Sequence, residues 1–120
     1  MQLETLGILH DLRDAVRFIL TIVADTSEEA FLSDRVRRDA IERNLITVGE
    51  AINRLRRRDP ATVARISNVG DIVGMRNVLI HQYHEVDDAV VWRAVQVNVP
   101  VLLQEVDRLL QEGQRDDAPR

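Results

Sequence analysis

The amino-acid sequence predicts an all-α, single-domain, up-and-down bundle of four main helices plus a short helical turn. Three observations lead there. Apolar residues recur at three- and four-residue spacings along most of the chain, no segment of useful length alternates with period two, and only five glycines and three prolines interrupt 120 residues. A chain of this length fits one domain and can bury roughly two-thirds of the surface its unfolded form exposes.

Leu3, Leu6, Leu9, Leu12, Val16, Ile19, Leu20 and Val23 form one apolar stripe, predicting an amphipathic helix over 3–24. Thr26 with Glu29 has the spacing of a capping box and opens a short turn. Ile41, Leu45, Val48, Ile52 and Leu55 then mark a long helix from about Ser33 to Arg57. Asp59 is a suitable N-cap and Pro60 a suitable first helical residue, so 61–66 forms a short helical turn. Asn68 with Asp71 repeats the start signal for a helix carrying Ile72, Met75 and Leu79 to about His81 or Gln82. Asp87 caps the last helix, built on Val91, Trp92, Val95, Val99, Leu102, Val106 and Leu109; Pro100 should kink this helix without breaking it, and Gly113 should end it. The domain is therefore expected over 1–113, followed by a polar, disordered tail over 114–120.

Composition narrows the function. Without cysteine there is no disulfide framework, thiolate metal site or cysteine nucleophile. No apolar run approaches the ~20 residues needed to cross a bilayer, and the N-terminus lacks a signal-peptide layout, so a soluble, cytoplasmic protein with no membrane partner is expected. A net charge of −4 argues against broad electrostatic capture of nucleic acid, and only 3% aromatic content leaves no evident base-stacking platform. All 16 basic residues are arginine, which suits bidentate phosphate contacts but also follows from a biased genome. The run Arg54, Arg56, Arg57 and Arg58 lies at a helix C-terminus, where cations meet the negative end of the macrodipole; it reads as a solvated helix end, with a phosphate patch as the alternative.

The segment Arg76-Asn77-Val78-Leu79-Ile80-His81-Gln82-Tyr83 places a guanidinium, an imidazole and a phenol in an otherwise apolar stretch. Polar groups buried there without partners would each cost about 1–3 kcal/mol, so the segment is either a hydrogen-bonded structural knot or an active site. Taking Arg76 as zero on a helix turning ~100° per residue, Asn77 falls near 100°, His81 near 140°, His84 near 80° and Tyr83 within about 20°. Ile72, Met75, Val78 and Leu79 are expected to face the core from the opposite half. Val73 and Ile80 fall inside the polar arc and would be exposed on a monomer, which predicts a cleft shared by a two-fold homodimer. Histidine exchanges protons near neutrality and arginine can hold two phosphate oxygens. In RNA cleavage, His81 would assist attack by a ribose 2′-hydroxyl, Arg76 would stabilise the charged transition state, and Asn77 would orient the imidazole or the phosphate. The spacing alone leaves a satisfied interior histidine as the common alternative.

The string 74–83, followed by His84-Glu85-Val86-Asp87 and Val91-Trp92, resembles the HepT-like family of the HEPN superfamily. Ala40-Ile41-Glu42-Arg43-Asn44-Leu45 and Val48-Gly49-Glu50-Ala51 resemble that family's long second helix, and the likeness spans about residues 5–110. The resemblance implies a HEPN-like homodimer: the toxin of a toxin–antitoxin pair and a metal-independent endoribonuclease acting on RNA, with Arg76, His81 and Asn77 as catalytic residues. It also implies a nucleotidyltransferase antitoxin that adds AMP to the motif tyrosine, here Tyr83. An added phosphoadenosine beside Arg76 would place bulk and negative charge where RNA enters; alternatively, Tyr83 simply hydrogen-bonds near a helix end. Two rivals remain at this level. His81 and His84, three apart near Glu85, Asp87 and Asp88, could ligate a metal, but His10 is the only other histidine, so no metal or other cofactor is expected. The chain could instead be a noncatalytic binding partner and modification substrate of the nucleotidyltransferase.

Overall fold

The computed structural model describes residues 1–81 and 86–116. Its elements are α1 (Leu3–Ala24), α2 (Glu28–Ser33), α3 (Arg35–Arg58), α4 (Pro60–Val63), α5 (Val69–His81) and α6 (Asp88–Asp116), with no strand among the described residues. The chain is thus an all-helical bundle in which α1, α3, α5 and α6 are the long members.

The joints follow from short polar side chains. Thr26 does not open α2; its hydroxyl donates to the Ile22 carbonyl (2.6 Å) and helps close α1. The N-cap is Ser27, whose Oγ accepts from the Ala30 amide at 3.1 Å. The spacing of Thr26 and Glu29 fits a capping box, but in the structure Thr26 bonds backward along the preceding helix. Asp34 caps α3 by accepting from the Val36 and Arg37 amides, which moves the start of α3 just past Ser33. Asp59 accepts from the Thr62 amide (3.0 Å) and hydroxyl (2.7 Å) and from the hydroxyl of the fully buried Thr5 (3.1 Å). These donors, Thr62 foremost, hold its carboxyl below the usual range and tie the start of α1 to α4. Asp87 caps α6 through the Ala89 amide, as the sequence predicts.

The core is the meeting of α1, α3 and α6. Leu9, Leu12, Val16 and Ile19 of α1 pack with Ile41, Ile52 and Leu55 of α3 and with Val95 and Val106 of α6, all with no solvent exposure. Phe31 of α2 joins them, its ring centroid 5.2 Å from that of Trp92. α6 is continuous through Pro100.

Gly113 does not end α6. The helix passes through it to Asp116, so residues 114–116 are helical instead of part of a tail; 117–120 lie outside the described residues. Gly113 is buried where α6 crosses the start of α1, and a Cβ there would meet Leu6 Cδ2 at 2.6 Å and Met1 Sδ at 3.1 Å. A glycine near a helix end signals a stop in sequence, but here it permits close packing.

Candidate functional site

α5 carries the motif, and its two ends are held differently. At its start, the Ser67 amide and hydroxyl both donate to Glu105 of α6 (2.9 and 3.0 Å), and Arg65 makes a bidentate pair with Glu112 (2.6 and 2.8 Å). Asn68 then turns the chain with φ 60°, a left-handed conformation that asparagine tolerates better than most residues, and its carbonyl accepts from the Ile72 amide. Beyond this point α5 packs along α3 and stands off α6. Between α5 and α6 opens a mainly apolar groove of about 700 Å³, whose lining includes Gly74, Met75 and Val78 on one side and Val90, Ala94 and Val97 on the other.

This groove corrects the expected orientation of α5. Ile72, Met75 and Leu79 pack on the core as predicted, Met75 also bordering the groove, whereas Val78 faces open space. Val73 and Ile80 are half-buried instead of exposed, and Val73 packs on the core. Arg76 does not lie opposite the core. Its stem rests on α3 at Gly49, where a Cβ would fall onto Arg76 Cβ and lie 2.7 Å from its Cγ. The inward face of α5 is thus rotated toward Arg76, because the glycine admits a stem that periodicity assigns to the outside.

The guanidinium is hydrogen-bonded at one end of its fork and faces a carboxylate at the other. Nη1 donates to Asn77 Oδ1 at 2.9 Å, and Nη2 lies 3.9 Å from Glu50 Oε1. Nε is buried with no partner among the described residues. Arg76 and Asn77 are therefore brought into direct contact. His81, the last residue of α5, is exposed. Helical register turns it about 140° from Arg76, toward the groove side. Tyr83 and the residue pair His84 and Glu85 lie outside the described residues, so the acceptor assignment at 83 has no geometry to report.

The far side of the motif segment is fixed by charge. Arg38 donates to the Leu32 carbonyl at 2.6 Å and pairs with Asp88, the first residue of α6, at 3.6 Å. Beside them, burial pushes the Glu42 carboxyl up to about 7, with the neighbouring carboxylate of Asp88 and its hydrogen bond adding to the shift. Among the described residues no group of three or more His, Asp or Glu side chains could hold a metal ion, and no helix is long and apolar enough to cross a membrane.

Sequence reasoning missed the part played by Gly49 and Glu50. The available signal was a glycine inside a long helix among Val48, Ala51 and Ile52, a position that costs about 1 kcal/mol relative to alanine and implies close approach of another element.

Known proteins place this arrangement in a family. The chain is 30% identical over 105 residues to the Thermococcus cleftensis protein named "Probable ribonuclease HepT", covering 84% of this chain and 91% of that one. It is 29% identical over 104 residues to "Putative RNase TTE0752" of Caldanaerobacter subterraneus (87% and 92% covered) and 28% identical over 103 residues to "Putative RNase MJ1380" of Methanocaldococcus jannaschii (82% and 90%). No solved structure matches the chain. The family described as "Ribonuclease HepT-like" matches residues 12–109, which include α3, α5 and the whole segment from Gly49 to His81, and the chain belongs to this HepT-like family.

Proposed function

We propose that this protein is a metal-independent endoribonuclease whose active form is a two-fold homodimer. The observation that carries the reading is a guanidinium fixed between two helices and followed five residues later by an exposed imidazole, in a chain whose relatives are named as ribonucleases. Arg76 binds a phosphate oxygen pair and stabilises the charge gathering on the pentacoordinate phosphorus. His81 takes the proton of the ribose 2′-hydroxyl as its oxygen bonds to phosphorus. The bond from phosphorus to the 5′-oxygen breaks, and that oxygen takes a proton from the second His81 of the dimer or from water. The products are a 2′,3′-cyclic phosphate and a 5′-hydroxyl. Asn77, bonded to Nη1, orients the guanidinium toward the phosphate.

The groove supports the dimer. Val90, Val97 and Val101 are exposed along α6 beside it, and a second copy seated there would cover them and bring two His81 side chains toward one cleft. In the cell this activity makes the chain a cytoplasmic toxin, silenced when a cognate nucleotidyltransferase transfers AMP to Tyr83 and blocks RNA entry. A second reading, a noncatalytic partner of that nucleotidyltransferase, draws support from the net charge of −4, which disfavours unaided RNA capture.

The deciding experiment compares RNA cleavage by the wild-type protein and His81→Ala in excess chelator. The wild type should cut and leave cyclic phosphate ends while the variant loses about 100-fold or more in rate. Equal cleavage by the two proteins, or none by either, would overturn the ribonuclease reading in favour of the binding partner.

A further inference from the structure

We propose that Glu50 is a positioning residue for the Arg76 guanidinium, brought into range by the missing side chain of Gly49. This proposal rests on the ribonuclease reading of the motif.

Gly49 is fully inside the α3–α5 contact, and the atoms pressed against it are Cβ and Cγ of Arg76, the root of the side chain. Pinning the root removes rotamer freedom that an arginine otherwise keeps, leaving the outer torsions to decide where the guanidinium points. Two groups restrict those torsions. Asn77, on the same helix, takes Nη1; Glu50, one residue beyond the glycine on the facing helix, approaches Nη2. Because the two hold opposite tips of a planar fork, they define its orientation as neither could alone.

The interaction is weak as a source of stability. Glu50 is half exposed and its oxygen lies at 3.9 Å, so solvent screens the pair. Its charge also opposes an incoming phosphate. A residue that stabilises the fold little and disfavours substrate binding acts chiefly by aiming the cation. The buried Nε–H, which has no partner among the described residues, fits the same picture, because a guanidinium free to rotate would turn that donor toward a partner.

The test is Glu50→Gln, with Glu50→Asp as the conservative control, in the full-length protein. Two readouts are taken: steady-state cleavage, and the hydrogen-exchange rate of the Arg76 Nε–H by nitrogen-15 NMR. With aim lost and repulsion removed, Glu50→Gln should lower kcat about 10- to 100-fold without raising KM, speed Nε–H exchange, and leave the melting temperature nearly unchanged. Glu50→Asp should recover part of kcat. Unchanged kcat in Glu50→Gln overturns the proposal, as does a raised KM accompanied by a lowered melting temperature. If the wild type cuts no RNA, the ribonuclease reading fails by itself and exchange decides the seat: faster exchange in Glu50→Gln upholds it, and identical exchange removes it.

Discussion

The α1–α3–α6 core and α5 are both rich in apolar residues, yet they are buried to different degrees. Leu9, Leu12, Val16 and Ile19 of α1 are wholly enclosed, whereas on α5 only Leu79 is buried and Ile72, Val73, Met75, Val78 and Ile80 remain partly open. α5 is latched at its start to α6, lies along α3, and leaves a groove on its other side. The core therefore carries most of the stability, and the motif sits on a long helix that is packed along one side only. That division suits the proposed site, because α5 can adjust without opening the core.

The strongest way to break the comparison is to attack the close approach of α5 to α3 at Gly49. Gly49→Ala puts a methyl group onto Arg76 Cβ, an atom too close to the backbone to swing aside, so α3 and α5 must separate. The expected cost is about 1–3 kcal/mol, typical of overpacking a closed contact, read as a lower denaturant midpoint. Loss of the Arg76 seat should lower RNA cleavage as well. An alanine variant with wild-type midpoint and activity would mean that α5 rides loosely over α3 and that the glycine positions nothing.

Much of this architecture was legible in the sequence because it depends on local chemistry. Asp59-Pro60 and Asp87 mark helix starts, and the apolar stripe of 3–24 coincides with α1. The motif segment stood out by its polar residues, but the contact between Arg76 and Asn77 did not, since Asn77 was expected to orient the imidazole or the phosphate. What could not be read locally was set by a partner element. Gly113 meets Leu6 and Met1 across the bundle, so it packs where sequence alone suggests a stop. The inward place of Arg76 on α5 was missed because a helix apolar nearly all round has no unique inward direction, and Gly49 on the facing helix decides it. Thr26 and Ser27 show a smaller version of this effect: two adjacent hydroxyls can each cap, and the backbone geometry assigns one backward and the other forward.

A milder perturbation addresses how firmly the core holds the start of α6. Glu42 is neutral in the fold up to about 7, while its unperturbed value is 4.5, so between these limits the folded state binds more protons than the unfolded state. This contribution to stability is fully present below pH 4.5 and is lost as pH rises through about 7. The charged groups facing Glu42 are Asp88 on α6 and Asp39 and Arg38 on its own helix. Glu42→Gln fixes the neutral form at every pH. It should match the wild type at pH 4 and exceed it at pH 8 by about 1 kcal/mol, the shift being discounted for solvent screening of a part-exposed side chain. Thermal melts of both proteins across that range provide the measurement, and parallel curves would show that no proton is held between α3 and α6.

The smallest effect on the fold should come from the open side of α5, where a second copy is proposed to sit. Val97 is 59% exposed on the α6 wall of the groove, so Val97→Asp removes little burial from a single chain and should change its stability by less than about 0.5 kcal/mol. In a dimer closed over this groove the same carboxylate would be desolvated near its two-fold mate, and association should weaken by orders of magnitude. Sedimentation at micromolar concentration separates the cases: a wild-type dimer and a folded variant monomer place the interface on this face. A variant that remains dimeric would locate the contact elsewhere, and a monomeric wild type would leave α5 open on its groove side and remove the shared cleft, so that Arg76 and His81 would have to act from opposite sides of one helix.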